Sequence, residues 1–174
     1  LYPRDENDDN TKYTMADAVF TACFLNTCNR NCDIIGMANF APIVNTRGCI
    51  YTYPEGIVLR STYHVFDLYV NYLGDLVLDS FGSEPPQMAV KSKSGEEVTV
   101  DQLDILATAF GDREGYALAV VNKSADQAAK ITVDLRGSGR AVRYYICGSS
   151  PESYNDAGHT GVSVLSEELG MFEE

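Results

Sequence analysis

Basic side chains are scarce in this sequence, and long apolar runs are absent. Of its 174 residues, 13 are Lys or Arg and 25 are Asp or Glu, so the formal net charge is −12. So acidic a surface repels phosphate backbones and anionic lipid head groups, which makes nucleic acids and membranes poor candidates as partners. No apolar run reaches the roughly 18 residues that a membrane-spanning helix needs. These features indicate a soluble protein that acts on neutral ligands, either in the cytoplasm or after secretion.

Several motifs of catalysis and cofactor binding are also missing. The two histidines, His64 and His159, are too few for a three-histidine metal site. The Gly-Ser-Gly at 137–139 lacks the Lys-Ser/Thr of a phosphate-binding loop, and no Gly-x-Ser-x-Gly elbow occurs. Five cysteines without Cys-x-x-Cys spacing argue against a disulfide framework and a zinc site. We expect no metal, no cofactor, buried thiols, and histidines in ordinary packing or loop positions.

Paired carboxylates are the remaining candidates for chemistry, because glycoside hydrolysis uses one carboxylic acid and a second carboxylate. Such pairs occur at Asp5-Glu6, Glu96-Glu97 and Glu167-Glu168. A nucleophile must be held rigidly, and Asp5-Glu6 lies in a polar stretch that no apolar strand precedes. We interpret all three pairs as solvated, so the chain has no predicted catalytic residue.

The N-terminal part has the pattern of a helix followed by a buried strand. Thr14 is a candidate N-cap with Asp17 three positions later, and apolar residues recur at helical spacing over 15–31. The nearly continuous apolar run at 34–44 predicts a strand, ending near Ala41, that is buried on both faces as in a parallel sheet. The predicted packed stripe of the helix consists of Ala16, Val19, Phe20, Cys23, Phe24, Cys28 and Cys32.

From about residue 50 the pattern changes to short apolar runs between turn residues. A short helix is predicted at 63–72. Strands are predicted at 75–81, 99–110, 116–122, 130–135, 142–147 and 162–165, the fourth from the alternation of Ile131, Val133 and Leu135. Many short strands at regular spacing indicate an antiparallel sandwich or barrel. The predicted fold is therefore mainly β, an antiparallel β-sandwich preceded by one helix–strand unit of an α/β domain.

Asn39 is the most informative polar residue of the predicted strand. An amide near the carboxyl end of a parallel strand can face a ligand crevice, and Asn45 is placed similarly. The alternative is that both amides satisfy local backbone groups.

The chain resembles the α-L-arabinofuranosidases of glycoside hydrolase family 51 from about residue 13 to 165. In the first half, the resemblance rests on Tyr13-Thr-Met-Ala-Asp-Ala, Phe24-Leu-Asn, Met37-Ala-Asn-Phe-Ala-Pro-Ile-Val-Asn and Tyr63-His-Val-Phe-Asp-Leu-Tyr. In the second half, it rests on Leu118-Ala-Val-Val-Asn122-Lys-Ser, Ile131-Thr-Val-Asp-Leu and Tyr154-Asn-Asp-Ala.

The resemblance implies a (β/α)8 barrel joined to a jelly-roll-like β-sandwich. It implies a retaining hydrolase that releases terminal α-L-arabinofuranose from arabinan, arabinoxylan and related side chains. Residues 1–50 would be the remnant of the last αβ unit of the barrel, and residues 51–174 the C-terminal sandwich. The start, which has no Met or leader, then fits a cut inside a longer protein. Both catalytic glutamates would precede Leu1, and the chain would be an inactive structural partner of the barrel.

Asn39 matches the family motif, which makes it the expected substrate-binding residue. The family often has Gln where this chain has Pro42, and proline offers no side-chain amide to a sugar hydroxyl.

Two other functions stay open. A carbohydrate-binding sandwich would display exposed rings, for which Tyr144, Tyr145 and Tyr154 are candidates, although Tyr144 and Tyr145 belong to opposite faces of a strand. An interaction or homo-oligomerisation domain is the third function, since apolar surface at 15–41 would be exposed in a fragment.

Overall fold

The structure is a computed structural model that describes residues 9–80, 83–135 and 137–172. Over these residues the fold is mainly β with few helices. This agrees with the prediction and is consistent with a β-sandwich domain. The helices are α1 (Met15–Arg30) and α2 (Ser61–Tyr72), preceded by a 3₁₀ turn at Asn10–Lys12. The strands are β1 (Ile50–Tyr53), β2 (Gly56–Leu59), β3 (Leu76–Leu78), β4 (Gln87–Lys91), β5 (Glu97–Asp101), β6 (Leu103–Ala109), β7 (Tyr116–Asn122), β8 (Gly139–Gly148), β9 (Asn155–Asp156), β10 (His159–Thr160) and β11 (Val162–Phe172).

All pairs among these strands are antiparallel. Strands β3, β6 and β7 form a three-stranded sheet in the order β3-β6-β7. The other pairs are β1 with β2, β4 with β5, β8 with β11, and β9 with β10. In the described part of the chain, no helix has the length and apolar character needed to cross a lipid bilayer.

The chain folds as two compact units that are interleaved along the sequence. The first comprises the described residues of 1–18, 40–68 and 130–174, and the second comprises 19–39 and 69–129. The buried apolar residues of the first unit are Ala18, Cys49, Tyr51, Val58, Val65 and Val162. Those of the second are Ala22, Leu25, Cys28, Leu106, Ala107 and Val121. Neither unit begins or ends at residue 50, and the division there into barrel remnant and sandwich stays a prediction.

Helix α1 begins as the sequence indicates but buries a different face. The carboxylate of Asp17 accepts hydrogen bonds from the Thr14 amide at 2.7 Å and the Thr14 hydroxyl at 3.1 Å, which confirms Asp17 as the capping-box partner. Leu25 is buried, whereas the Phe20 and Phe24 side chains are 73% and 55% exposed. The predicted stripe is therefore wrong as a packed face, because more than half of each ring stays exposed among the described residues. Among the other residues of the predicted stripe, Cys28 is buried, Val19 and Cys23 are partly buried, and Ala16 and Cys32 are exposed.

The predicted strand at 34–41 is wrong. Residues 31–34 form a turn, and 35–41 have no regular structure. Ile34 and Met37 are 78% and 76% exposed, although their hydrophobicity indicated burial on both faces. A strand needs partners for its backbone N–H and C=O groups, and no described strand pairs with this segment.

Further along the chain, the prediction of α2 is confirmed, as are strands within five of the six predicted ranges. The predicted strand at 130–135 is wrong, since Ile131 and Val133 are exposed and the segment pairs with no described strand. The hairpins β1–β2 and β4–β5 were not predicted.

Candidate functional site

A groove of about 690 Å3 lies on the first unit. Its walls come from β2, the first half of α2, and the β9–β11 segment. Both histidines of the chain lie on it, although they are distant in sequence. The lining residues that carry aromatic or acidic groups are Tyr53, Tyr63, His64, Asp67, Asp156 and His159. The volume falls within the roughly 300–1,000 Å3 of ordinary small-molecule sites.

Helix α2 presents one of its faces to the groove because residues three or four positions apart share a side of a helix. Tyr63 and Asp67 are separated by four positions, and His64 lies between them, with its ring 5.8 Å from that of Tyr63 in an edge-on contact. The other face is anchored in the core by Val65 and by Ser61, whose hydroxyl donates to the Thr14 carbonyl at 2.6 Å.

The protonation of His64 follows from its partial burial. Burial lowers the pKa of His64 because it disfavours the imidazolium, and the nearby Asp67 carboxylate offsets this only in part. His64 is therefore neutral at neutral pH, with one ring nitrogen that donates and one that accepts a hydrogen bond. Its contact with Tyr63 agrees with the predicted packing role of His64, which also lines the groove.

The opposite wall is organised by the buried side chain of Asn155. Its Oδ1 accepts from the amides of Gly161 at 3.0 Å and Val162 at 2.8 Å. Its Nδ2 donates to the carbonyls of Leu59 at 2.9 Å and Val162 at 3.1 Å. At Gly161 a Cβ would lie 2.5 Å from the carbonyl oxygen of Tyr154, so this close turn excludes any side chain. One amide thus holds the β9–β11 segment against β2.

Arg60 anchors the chain between β2 and α2 from inside the core. Its side chain is fully buried; Nε donates to Asn10 Oδ1 at 2.8 Å, and one terminal nitrogen donates to the carbonyls of Thr46 and Gly48 at 2.7 and 2.6 Å. The guanidinium carbon lies 3.7 Å from the centre of the Tyr13 ring, a cation–π contact. These contacts fix the loop before β1 and the start of α2.

The second unit contains a separate polar cluster. The Asp104 carboxylate accepts from Asn26 Nδ2 at 2.9 Å and from Arg30 at 2.8 Å, and Tyr69 donates to Asn26 Oδ1 at 2.6 Å. Burial alone would raise the pKa of Asp104, but the hydrogen bonds from Arg30 and Asn26 outweigh it, so that pKa is lowered. Burial raises the pKa of Tyr69. Since these groups satisfy one another, we interpret the cluster as structural.

Asn39, the predicted substrate-binding residue, lies on the exposed irregular segment at 35–41 and is not among the residues that line the groove. Its role in binding stays a prediction. For Asn45 the structure favours the alternative, because its Oδ1 accepts from the Thr52 amide at 2.8 Å and hydroxyl at 3.1 Å. Asn45 has a φ of 56°, in the left-handed region where asparagine is favoured.

The tyrosines of the predicted carbohydrate-binding surface do not form one row. Tyr144 is 41% exposed on β8, whereas Tyr145 lies beneath Arg143 at 4.7 Å. Tyr154 packs with its ring 5.0 Å from that of His159, and His159 lines the groove. Sequence reasoning treated His159 as an ordinary loop residue and did not find this association.

The remaining candidate groups are dispersed. Glu96 and Glu97 are exposed, while Glu167 and Glu168 form ion pairs with Arg143 and Arg140 on the β8–β11 hairpin. Asp5-Glu6 lies outside the described residues. All five cysteines are free thiols, and burial raises the pKa of Cys23 and Cys49. Over residues 9–80, 83–135 and 137–172, no group of three or more His, Cys, Asp or Glu side chains could hold a metal ion.

Comparison with known proteins gives a consistent set of relatives. The probable alpha-L-arabinofuranosidase C of Aspergillus flavus is 29% identical over 157 residues, which are 88% of this chain and 30% of that protein. The protein of the same name from Aspergillus niger is 30% identical over 156 residues, 87% of this chain and 30% of that one. The chain therefore spans about a third of the length of the curated relatives it matches.

Solved structures agree with these sequence relatives. The alpha-L-arabinofuranosidase of Thermotoga maritima, solved as an arabinose complex, matches with a TM-score of 0.76 and 28% identity over 93% of this chain and 36% of that chain. The family 51 enzyme of Thermotoga petrophila matches with a TM-score of 0.78 and 25% identity over 100% of this chain and 38% of that chain.

The match that decides the family covers nearly the whole sequence. Residues 3–171 fit the model described as the alpha-L-arabinofuranosidase C-terminal domain. This agrees with the resemblance found in the sequence, and the chain belongs to the alpha-L-arabinofuranosidase C-terminal domain family.

Proposed function

We propose that this chain is the C-terminal part of a family 51 α-L-arabinofuranosidase and acts there as the structural partner of a catalytic (β/α)8 barrel. Family membership and a span of about a third of its relatives support this proposal. The enzyme would release terminal arabinofuranose, with retention, from arabinose-containing polysaccharide side chains. The acid/base and nucleophile would lie in the rest of the protein, and residues 51–174 would form the jelly-roll-like sandwich.

The observation that carries the proposal is apolar surface left exposed in the second unit. Phe20 and Phe24 on α1, and Ile34 and Met37 just after it, are all more than half exposed. Burial of one such side chain stabilises by about 1.5–3 kcal/mol. Four large apolar side chains within 18 residues are therefore expected to have a cover in the whole protein, and a barrel would supply it.

The first test compares activity. We expect the natural protein that contains this chain to hydrolyse 4-nitrophenyl α-L-arabinofuranoside, and the 174-residue chain alone to show no turnover. The reason is that the proposal places both catalytic glutamates in the rest of the protein. Release of nitrophenol, followed by absorbance, is the measurement. Turnover by the 174-residue chain, or none by the natural protein, would overturn the proposal.

The second test concerns the exposed apolar surface. We expect Phe24→Ser to destabilise the 174-residue chain by about 1 kcal/mol or less, because more than half of the side chain is exposed there. In the natural protein the same change should destabilise by about 1.5–3 kcal/mol, because the ring would be covered. Urea unfolding of both proteins measures the difference.

Tyr116→Ser is the matched control, since Tyr116 is a similarly exposed ring, at 52%, on β7. Equal effects of Phe24→Ser in the chain and the natural protein would count against the barrel as the cover. A concentration-dependent dimer of the 174-residue chain that Phe24→Ser dissociates would favour the oligomerisation domain instead.

A further inference from the structure

We propose that the groove between β2, α2 and the β9–β11 segment is a binding site for a neutral, arabinose-containing oligosaccharide. The identity of the sugar rests on the proposed function, whereas the class of ligand follows from the chemistry of the groove. The site would hold part of a polysaccharide chain on the C-terminal portion of the enzyme.

The two walls offer aromatic rings to the apolar C–H faces of sugars. Tyr63 and His64 lie on α2, Tyr53 lies on β1, and His159 lies on β10 with its ring 5.0 Å from that of Tyr154. Rings of this kind combine a large apolar face with a polar edge, which suits a ligand with C–H faces and hydroxyl edges. An open groove about 690 Å3 in volume has room for several sugar units.

Hydroxyl recognition would come from the acidic groups on the same walls. Among the described residues, Asn10 Nδ2 at 2.7 Å and the Ala157 amide at 2.8 Å both donate to Oδ1 of Asp156. A carboxylate has about four acceptor positions, so Oδ2 can accept from a ligand hydroxyl. Asp67 provides a second carboxylate, and neutral His64 can donate or accept.

Charge selects against anionic ligands. None of the described residues that line the groove is Lys or Arg, and two of them are Asp. The chain as a whole carries a formal charge of −12, which adds to the repulsion of phosphates and uronates. A neutral pentose polymer avoids this repulsion.

The groove is also preformed, which limits the entropy lost on binding. Asn155 makes four hydrogen bonds that hold the β9–β11 segment, and α2 is anchored by Ser61 and Val65. The groups that would contact sugar therefore stand on fixed elements.

The experiment uses hydrogen–deuterium exchange of the natural protein that contains this chain. The probe is a series of thio-linked arabino-oligosaccharides, which resist hydrolysis. We expect saturable slowing of exchange in segments 56–64 and 155–164, and a titration of these segments gives the affinity of the groove itself. His159→Ala should weaken that affinity about three- to tenfold, because it removes one stacked ring.

Tyr144→Ala is the matched control, because Tyr144 is an exposed tyrosine that is not among the groove-lining residues, and its loss should leave the groove titration unchanged. No slowing at saturating sugar, or slowing that His159→Ala does not weaken, would overturn the inference. A groove already protected without sugar, and unchanged by it, would show that another part of the protein fills it and would also overturn the inference.

Hydrolysis and hydrogen exchange, both measured on the same protein, distinguish a failure of this inference from a failure of the proposed function. Hydrolysis of the aryl arabinofuranoside without slowed exchange in the groove would overturn the binding site alone. Slowed exchange in the groove without any hydrolysis would overturn the arabinofuranosidase alone.

Discussion

Arg60→Met is expected to lower the free energy of unfolding of the chain by about 3 kcal/mol or more. The change keeps much of the side-chain volume but removes the donors to Asn10 Oδ1 and to the carbonyls of Thr46 and Gly48. Each buried acceptor left without a partner costs about 1–3 kcal/mol. The Thr46 carbonyl keeps the Tyr13 hydroxyl as a donor at 2.8 Å, so Asn10 Oδ1 and the Gly48 carbonyl are the two acceptors left without a partner. These two acceptors and the lost contact with the Tyr13 ring account for the expected loss.

Arg143→Met is the matched control for this prediction. Arg143 also pairs with a carboxylate, Glu167, and lies over a ring, that of Tyr145, but its side chain is 54% exposed. Exposed ion pairs contribute about 0–1 kcal/mol, so the control variant should stay close to the unsubstituted chain. Urea unfolding followed by circular dichroism suits a chain that has no tryptophan.

One result of comparing Arg60→Met with Arg143→Met would contradict the prediction. Equal losses in Arg60→Met and Arg143→Met would mean that the Arg60 bonds are exchanged for water without cost, as at a surface. Arg60 would then not anchor the loop that precedes β1.

Local patterns in the sequence predicted the helices well. Thr14 and Asp17 form a cap from neighbouring residues, so no distant partner was needed to place the start of α1. The same holds for α2, whose buried Val65 and exposed Val70 follow helical spacing. Which face of α1 packs was not predictable, because Phe20 and Phe24 are as apolar as any core residue.

The strand predictions were wrong where strand pairing depends on residues distant in sequence. The apolar run at 34–41 and the alternating run at 130–135 both have strand-like sequences, yet neither pairs with a described strand. The hairpin β4–β5 could have been found, since Val98 and Val100 alternate after a turn in which Gly95 has a φ of +86°. Hydrophobicity reports what a residue prefers, and not whether a partner is present.

The groove could not have been predicted from the sequence. His64 and His159 are 95 positions apart, and neither belongs to a motif. They lie on the same groove because Asn155 bonds to Leu59 and so brings β2 beside the β9–β11 segment. The one local signal was Tyr154-Asn-Asp-Ala, followed by Gly158 and Gly161, a pattern of turn residues around a buried amide.

Asn155→Asp is expected to destabilise the chain at neutral pH by about 3 kcal/mol or more. The variant is nearly identical in shape, and its acceptor can still bind the amides of Gly161 and Val162. The other oxygen, however, would face the carbonyls of Leu59 and Val162. In the unsubstituted chain these carbonyls accept hydrogen bonds from Nδ2 of Asn155. Two carbonyls would lose their donor and a charge would be buried against them, each an unfavourable change.

The direction in which the stability of Asn155→Asp changes with pH tests whether the buried charge causes the loss. Burial beside two carbonyls raises the pKa of the new carboxyl above its unfolded value, so the folded variant binds its proton more tightly. The stability deficit relative to the unsubstituted chain should therefore shrink as the pH falls through that raised pKa, because the protonated acid can donate to one carbonyl. Urea unfolding of the variant and of the unsubstituted chain at a series of pH values measures the stability deficit.

Asn45→Asp provides the control, because the Thr52 amide and hydroxyl both donate to the side-chain oxygen of Asn45. Aspartate keeps that acceptor and tolerates the left-handed backbone at this position, so the change should stay within about 0.5 kcal/mol. A deficit in Asn155→Asp that does not change with pH would indicate lost packing instead. A deficit no larger than that of Asn45→Asp would mean that the Nδ2 bonds do not hold the β9–β11 segment, and the groove would then lack its preformed wall.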